Sequence, residues 1–300
     1  MNVLRKISRL KSILIGLEDY LGSSNAEVAN RKSEFTQIIR AIDAKQDLQS
    51  KNELDYLFLR VSDLSRLLIQ DQKVNWRIET NKPIAIDSND HIHPRGVKQD
   101  ETRRPAFVQK LIGIYGPGVT YLDLGCAGGG LVYDFVIKGC LALGLEGSDF
   151  SKSHSRAYWH EIPWALHTAD LTAPVKIFLE NQPATFDVIG AWEFFEHIDE
   201  EDIDSVLRNI KHHLRNKRSL FLANIATFED SHEGTHWHST IKPKDWWEKK
   251  FTNFGFDIVA YPFDSQFNPR GSGNTLGTWG NDYDIIENPN LGFSIAAKLK

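Results

Sequence analysis

The clearest indication of the fold is the stretch Tyr121-Leu-Asp-Leu-Gly-Cys-Ala-Gly-Gly-Gly130. Its apolar first half, with Val119 and Thr120 before it, predicts a buried strand over 119–124 that carries one acid, Asp123. Small residues follow, and then Leu131-Val-Tyr-Asp-Phe-Val-Ile137 predicts a helix. A strand, a small-residue turn and a helix bring a nucleotide close to bare backbone and point the helix N-terminus at it. The stretch therefore indicates a nucleotide site, although such turns also serve plain strand–helix packing.

Composition limits the class of protein. The 300 residues are 41% hydrophobic and 25% charged, which is ordinary for a soluble globular protein. The net charge is −5 and no long basic run occurs, so nucleic acid is not an expected partner. Cys126 and Cys140 are too few for a disulfide framework and indicate a reducing compartment. Without a signal peptide or an apolar run of ~20 residues, a cytoplasmic protein with no membrane span is predicted.

Apolar runs alternate with amphipathic segments throughout residues 104–300. Short connections join them, so the alternation predicts βαβ units and a parallel sheet with helices on both faces. The last two runs lack an intervening helix and are predicted to pair antiparallel around an insertion, 263–291. The expected fold is α/β, a doubly wound, seven-stranded, mostly parallel sheet. The predicted strands are 119–124, 141–146, 164–168, 186–191, 218–224, 257–262 and 292–299, and the predicted helices are 104–114, 129–138, 152–161, 174–181, 201–214 and 243–252.

Residues 1–79 precede this domain and carry apolar side chains three and four positions apart, as in the series Ile7, Leu10, Leu14 and Leu17. The spacing predicts an N-terminal helical arm, with a coiled coil as one form of it. The arm is either a hairpin that packs on its own domain or a surface for self-association or a protein partner. A membrane-surface helix is disfavoured because the polar face mixes both charge signs.

Residues 80–103 form a polar connector between the arm and the domain. Its His91 and His93 are spaced like a pair of metal ligands, but no third and fourth ligand follows at a suggestive spacing. The connector is therefore predicted to be a plain linker or a lid over the domain that follows.

Two acids at later strand ends indicate what the glycine turn binds. Glu146 ends the second strand, 21 residues after Gly125, where an acid can accept from both hydroxyls of a ribose. Asp170 follows the third strand and can accept from an adenine amine, with Leu171 donating its backbone N–H to the ring. Each acid alone is compatible with a helix cap, but together they predict an adenosine site. Ala127 replaces a glycine of the dinucleotide fingerprint, which tells against a pyrophosphate.

At these residues the sequence resembles the class I S-adenosylmethionine-dependent methyltransferases. Asp123-Leu-Gly-Cys-Ala-Gly-Gly129 is similar to their acid-x-Gly-x-Gly-x-Gly motif, Glu146 to their ribose-binding acid and Asp170 to their adenine-contacting acid. Phe186-Asp-Val-Ile-Gly-Ala-Trp-Glu-Phe-Phe-Glu-His197 is similar to their fourth-strand motif, and the terminal strand pair matches their reversed seventh strand. The resemblance covers about residues 104–300 and implies S-adenosylmethionine as the cofactor.

The resemblance also implies a role for each cofactor-binding residue. Asp123 would hold the turn or the methionine ammonium, and Trp192 and Glu193 would border the methionine end. Ala127 is tolerable at the second glycine of the motif if its φ is negative, because the contact there is through backbone. The implied set is Asp123, Gly125, Cys126, Ala127, Gly129, Glu146, Asp170, Leu171, Trp192 and Glu193, in which Cys126 is a backbone contact and not a nucleophile.

Three histidines are candidates for the general base that a hydroxyl acceptor needs. His197 follows the fourth strand near the expected methyl donor, where a structural hydrogen bond explains it equally well. His236 and His238 lie in the loop Ser231-His-Glu-Gly-Thr-His-Trp-His238, which the topology places above the same crevice. The alternatives for this loop are solvated surface histidines or a metal site completed by Glu233. The predicted site contains no metal.

The leading hypothesis is an O-methyltransferase that acts on a glycan or another sugar-containing small molecule. It follows from the resemblance, because members with a helical arm and similar charge often resemble modifiers of sugars and glycans. An N-methyltransferase or a protein-directed methyltransferase is the first alternative, and a Rossmann oxidoreductase is disfavoured by Ala127. A non-catalytic nucleotide-binding scaffold that oligomerises through residues 1–79 is a third class.

Overall fold

A computed structural model describes residues 73–264, 267–270, 285 and 288–300. Residues 73–136 and 140–300 group into one compact unit, which is the unit described below. The predicted helical arm lies outside the described residues as far as residue 72.

The helices of this unit are α1 (Asn89–Ile92), α2 (Arg95–Gln99), α3 (Pro105–Tyr115), α4 (Gly130–Val136), α5 (Phe150–Ser153), α6 (Ile203–His213) and α7 (Lys244–Phe254). The strands are β1 (Trp76–Glu79), β2 (Tyr121–Leu124), β3 (Ala142–Glu146), β4 (Leu166–Thr168), β5 (Lys176–Leu179), β6 (Gln182–Pro183), β7 (Val188–Trp192), β8 (Leu220–Ala226), β9 (Ser231–His232), β10 (Thr235–His236), β11 (Phe256–Ile258) and β12 (Gly292–Leu299). Within the described residues, none of the helices is both long and apolar enough to cross a bilayer.

Seven strands form the central sheet in the order β11-β12-β8-β7-β2-β3-β4. β2 lies at its middle and runs parallel to both β3 and β7. β12 runs antiparallel to β8 and to β11, as expected for the terminal pair. The predicted doubly wound, mostly parallel sheet is confirmed. Because the strand order reverses between β2 and β7, a crevice opens at the carboxyl ends of these two strands.

The hydrophobic core lies along the central strands. Every residue of β2, β3, β7 and β8 is buried, since helices cover both faces of a parallel sheet. Phe107 of α3, Val206 of α6 and Trp247 of α7 are fully buried. Strands buried on both faces appear as continuous apolar runs, which is why these four were recognisable from the sequence.

The predicted helix over 174–181 is wrong, because this segment contains β5 and the turn into β6. Val175 and Ile177 are buried while the residue between them is exposed, which is the period of a strand. Glu180 and Asn181 have φ of 46° and 66°, as the two central residues of a type I′ hairpin turn require.

Two further predictions fail at their ends. Residues 76–79, placed in the helical arm by sequence, form β1, which pairs antiparallel with β5. Trp76 of β1 stacks on Phe186 with ring centroids 5.8 Å apart, so this strand belongs to the domain. The helix predicted over 152–161 stops at α5, because Ser155 and Ala157 both have φ of 48° and leave the helical region.

The connector, residues 80–103, contains α1 and α2 and packs on the domain. Ser88 caps α1, its side-chain oxygen accepting from the backbone N–H of His91. The backbone carbonyl of Asp100 accepts from the N–H of Gly128, in the glycine turn, at 3.0 Å. The connector therefore lies beside the carboxyl ends of the central strands.

Candidate functional site

A cavity of about 1010 Å³ opens at the carboxyl ends of the central parallel strands. Connector residues such as Asp90 and Asp100 line it, together with strand-end and loop residues of the domain. The predicted site residues that line it are Gly125, Ala127, Glu146, Asp170, Leu171, Trp192, Glu193, His197 and His238, while Asp123, Cys126, Gly129 and His236 do not.

The glycine turn between β2 and α4 needs its small residues for conformation and for close approach. Gly125 and Gly129 have φ of 72° and 79°, in the left-handed region that side chains disfavour. A Cβ on Gly125 would lie 2.8 Å from the Phe194 ring, and one on Gly128 would lie 2.5 Å from the carbonyl oxygen of Asp100. The turn is thus compressed between β7's exit loop and the connector.

The condition set for Ala127 is not met, because its φ is 45°. A left-handed alanine costs about 1–2 kcal/mol, so the surroundings must hold it there. Its N–H donates to Glu146 Oε2 at 2.7 Å, and its carbonyl accepts from the Trp159 indole at 2.8 Å. These two hydrogen bonds hold the motif's alanine in the conformation that a glycine adopts freely.

Glu146 lies at the carboxyl end of β3 with both carboxylate oxygens engaged. Oε2 accepts from Ala127 and Oε1 accepts from the backbone N–H of Ser148 at 3.0 Å. Burial raises the pKa of Glu146 to about 7, and these two hydrogen bonds limit the rise. The carboxylate therefore lies across the glycine turn, where the adenosine ribose was expected.

Asp123 lies under the turn and not in the cavity wall. The Tyr121 hydroxyl donates to its Oδ1 at 2.9 Å, and the Trp192 indole donates to that hydroxyl at 2.8 Å. Burial raises the pKa of Asp123 to about 8, partly offset by the hydrogen bond from Tyr121. These hydrogen bonds connect Asp123 in β2 to Trp192 at the end of β7.

Asp170 follows β4 and holds the loop that contains Leu171. Its Oδ1 accepts from the backbone N–H and the hydroxyl of Thr172, at 2.9 and 2.6 Å. Its Oδ2 lies 3.5 Å from the ammonium of Lys82, a connector residue. The acid therefore stands at the expected adenine end of the cavity and also ties the connector to it.

The end of the cavity beside Trp192 contains an ion-pair network that sequence reasoning missed. Arg270, 5% exposed, donates to Glu193 and lies 3.1 Å from Asp100. Glu193 Oε1 is buried and lacks a hydrogen-bond partner among the described residues. An ammonium group such as that of methionine would satisfy it, so the residues here fit the implied cofactor. Arg270 lies in the 263–291 insertion, whose composition predicted only a loop.

His197 and His238 meet at the other side of the cavity, with ring centroids 4.9 Å apart. His197 Nδ1 lies 2.9 Å from Asp90 Oδ2, a close ion pair that is poorly aligned for a hydrogen bond. Burial lowers the pKa of His197, but Asp90 and Glu196 outweigh it and raise the value to about 9. Burial and then the neighbouring His197 lower the pKa of His238. The pKa is thus raised in His197 and lowered in the adjacent His238.

His236 does not join this pair. It lies on the β9–β10 hairpin with its side chain 62% exposed, and its Nδ1 is 2.5 Å from Glu229. The neighbouring Trp237 is buried and lines the cavity, and its indole donates to the backbone carbonyl of His93. The Arg95 guanidinium stacks 4.3 Å from the Trp237 ring centroid. The histidine loop therefore closes one wall of the cavity against the connector.

Several solved structures resemble the chain. The glycopeptide N-methyltransferase MtfA complexed with sinefungin is 17% identical, covering 66% of this chain and 94% of that one with a TM-score of 0.41. An S-adenosylmethionine-dependent methyltransferase from Clostridium acetobutylicum is 12% identical, covering 70% and 95%, with a TM-score of 0.45. A TehB-like S-adenosylmethionine-dependent methyltransferase from Corynebacterium glutamicum is 13% identical, covering 65% and 87%, with a TM-score of 0.43. No curated protein sequence matches the chain significantly.

A family profile covers most of the site, although Asp90, Arg95 and Arg270 lie outside the matched range. The profile described as "Methyltransferase domain" matches residues 96–261, which is more than half of the chain. The matched range runs from α2 through the glycine turn, both strand-end acids and the histidine pair, and it ends after β11. The chain therefore belongs to the methyltransferase-domain family, within the class I methyltransferases that use S-adenosylmethionine as methyl donor.

Proposed function

We propose that this enzyme methylates a hydroxyl oxygen of a sugar or of a sugar-containing small molecule. The observation that carries the proposal is the hydrogen bonding of His238. Its Nδ1 lies 2.6 Å from the backbone carbonyl oxygen of Phe228, so the Nδ1–H donates there and Nε2 keeps its lone pair. A neutral imidazole oriented in this way can accept a proton from a hydroxyl group.

The walls around His238 suit a polyhydroxylated acceptor. The Asp90 carboxylate, beside His197, and the ion pair of Arg95 with Asp230 line the cavity, and these charged groups can hydrogen-bond the hydroxyls of an acceptor. Trp237 supplies an aromatic wall. A sugar ring presents both hydroxyls and an apolar C–H face, so a wall that mixes charge with an aromatic ring matches it.

The proposed step moves one proton to His238 and one methyl group to the acceptor oxygen. His238 Nε2 accepts the hydroxyl proton, and the acceptor oxygen uses its electron pair to form a bond to the methyl carbon. The bond between that carbon and sulfur breaks, and its electron pair stays on sulfur. S-adenosylmethionine supplies the methyl group on a positively charged sulfur, while the residues of the chain orient the acceptor and handle the proton.

The test uses paired acceptors that differ in one atom. The full-length protein is incubated with S-adenosylmethionine and with glycosides that carry either a hydroxyl or an amino group at one ring position. Mass spectrometry of the products, together with S-adenosylhomocysteine release, measures transfer. We expect methylation of hydroxyl acceptors. Transfer confined to the amino members would contradict the proposal and favour the N-methyltransferase alternative.

We also propose a cytoplasmic location and self-association through the N-terminal helical arm. The first is supported by Cys126 and Cys140, which are both buried and do not form a disulfide. The second is supported by the apolar spacing of residues 1–72 in the sequence.

A further inference from the structure

We propose that Glu196, His197 and His238 bind a divalent first-row transition-metal cation on the acceptor side of the cavity. Each of these side chains offers one ligand atom, and the three atoms lie within 4.8 Å of one another. Two imidazoles and a carboxylate form a ligand set that suits Fe²⁺, Co²⁺, Mn²⁺ or Zn²⁺ and leaves positions open for other ligands. Elsewhere in the described part of the chain no comparable group of three side chains comes together.

The Glu196 carboxylate has one buried oxygen that a bound cation would satisfy. Its side chain is fully buried, and Oε1 accepts from the backbone N–H of Ala226 at 3.1 Å. Its Oε2 is also buried but has no hydrogen-bond partner among the described residues. A buried carboxylate oxygen without a partner is costly and is rarely left so in a folded protein. A cation bound at Oε2 would compensate both its charge and its lost hydration.

His238 is held as a metal ligand usually is, and His197 has a carboxylate beside the corresponding ring nitrogen. A metal-binding histidine commonly donates its second ring N–H to a carboxylate or a backbone carbonyl, which fixes the ring and its tautomer. His197 has Nδ1 against Asp90 Oδ2 at 2.9 Å, and His238 has Nδ1 against the Phe228 carbonyl at 2.6 Å. In both rings Nε2 is the nitrogen left for a cation.

The backbone also ties the two halves of the cluster together. The carbonyl oxygen of Glu196 accepts from the N–H groups of Ser239 and Thr240, at 2.7 and 3.0 Å. The loop that carries His238 is therefore anchored directly on the residue that supplies the carboxylate. Ligands at about 2.0–2.2 Å from a shared cation lie roughly 3.4 Å apart in tetrahedral geometry. The three ligand atoms, which lie within 4.8 Å of one another, would therefore move closer together on binding.

This inference rests on the proposed function, methyl transfer to a hydroxyl oxygen, and gives His238 a different role in it, that of a cation ligand in place of the proton acceptor. A cation would occupy the His238 lone pair, so the acceptor hydroxyl would be activated by binding to an open position on the cation, which lowers the pKa of the hydroxyl. The proton then leaves to solvent in the open cavity, and the oxygen electron pair forms the bond to the methyl carbon as before. An acceptor with two adjacent hydroxyls can fill two open positions at once, which narrows the expected substrate to vicinal diols.

The sequence predicted no metal, and the metal alternative weighed for the histidine loop used the wrong acid. Glu233 is close in sequence, but its side chain is 84% exposed on the hairpin turn. Glu196 lies 42 residues before His238 in the chain, and only the fold brings it near. Sequence spacing gives no sign of this pair.

The test measures cation binding directly in the full-length protein after treatment with a chelator. Co²⁺ is titrated in and followed by its visible absorption, and Mn²⁺ by the decrease of its free paramagnetic signal. We expect one cation per chain. Glu196→Gln and His238→Ala should each weaken binding by roughly 100-fold or more, and Asp90→Asn, which removes the carboxylate charge beside His197, by about 10–100-fold. His236→Ala is the matched control, because this exposed histidine lies outside the cavity, and it should bind like the wild type.

Each outcome decides one question. S-adenosylhomocysteine titration and thermal melting establish that the variants are folded; if Glu196→Gln does not fold, His238→Ala and Asp90→Asn carry the test. Absence of saturable cation binding in a protein that still binds S-adenosylhomocysteine overturns the inference. Unchanged cation binding in both His238→Ala and Asp90→Asn overturns it as well. Neither result affects the glycoside test of O-methylation. Conversely, a bound cation with no hydroxyl methylated would leave the metal site standing and remove the proposed function.

Discussion

Three buried acids of this methyltransferase, Asp123, Glu146 and Glu196, are each hydrogen-bonded differently, and Glu146 is the one of the three that lines the cavity. Asp123 accepts from Tyr121, Glu146 accepts two backbone N–H groups, and Glu196 leaves one oxygen without a partner among the described residues. Burial raises the pKa of all three, most of all in Asp123, to about 8, and to about 7 in the two glutamates. Ligand binding at such residues is therefore coupled to proton release near neutral pH.

Glu146 predicts a pH dependence of cofactor affinity. The ribose hydroxyls hydrogen-bond best to an ionised carboxylate, whereas burial raises the pKa of Glu146 to about 7 in the free protein. Below that pH, binding must first remove a proton. The affinity for S-adenosylhomocysteine should therefore fall by up to about tenfold per pH unit from pH 7 downward, and level off above pH 7. Calorimetric titration across this range measures it.

The control is Glu146→Gln, which cannot ionise. This variant should bind more weakly and lose the component of the pH dependence that is centred near pH 7. A wild-type affinity that is flat between pH 5.5 and 7, roughly the span over which Glu146 changes charge, would contradict the assignment.

His238 and His236 form a matched pair of variants. His238→Ala should reduce turnover by roughly 100-fold or more, the usual effect of losing a group that activates the acceptor, while S-adenosylhomocysteine binding stays near the wild-type value. His236→Ala should keep turnover, since its side chain is exposed and lies outside the cavity. Steady-state rates with the glycoside that accepts the methyl group measure the turnover of both variants. Equal loss in the two variants would place the activating group elsewhere in the loop.

At the scale of the elements, β7 must leave space for the side chains that support the glycine turn. Gly190 in the middle of β7 faces the Tyr121 hydroxyl and the Trp192 indole. These are the groups that connect Trp192 to Asp123 through hydrogen bonds. A glycine in a fully buried central strand is unusual, and here the missing side chain is what admits Tyr121.

Gly190→Ala should therefore destabilise the fold. A Cβ at this position would collide with the Tyr121 hydroxyl and lie 2.7 Å from the Trp192 indole nitrogen, so the free energy of unfolding should fall by about 1–3 kcal/mol. Gly113→Ala in α3 is the control, because no atom lies within 4 Å of the added methyl group. It should raise the free energy of unfolding by about 0.5–1 kcal/mol. Urea denaturation compares them, and equal effects would refute the packing argument.

At the scale of the whole molecule, residues 73–136 and 140–300 form a compact unit with its own core. β1, at residues 76–79, pairs with β5 and must stay with this unit. If the proposed self-association runs through the helical arm, a chain that begins at residue 73 should have the mass of a monomer, while the full chain has a multiple of it. Light scattering measures both. If both proteins contain the same number of chains per particle, the arm is excluded as the interface.

The central sheet, the glycine turn and the acids at the ends of β3 and β4 could be predicted from the sequence. These are local properties, because a strand buried on both faces is a continuous apolar run and the residue that ends it stands at a known edge of the sheet. Local reasoning failed at 174–181, where an alternation of only a few residues and a two-residue turn were mistaken for a helix. Glu180 and Asn181 in the left-handed region show that turn chemistry outweighed the apparent helical pattern.

The contacts between side chains across the cavity are visible in the tertiary structure alone. Asp90 with His197, Glu196 with His238 and Arg270 with Glu193 are contacts between distant parts of the chain. Their partners lie on the connector and on loops, whose paths depend on packing against the finished sheet and not on any periodicity of their own. The residues expected to bind the methyl donor therefore follow a recognisable pattern in the sequence, whereas the cluster proposed to activate the acceptor comes together only in the fold.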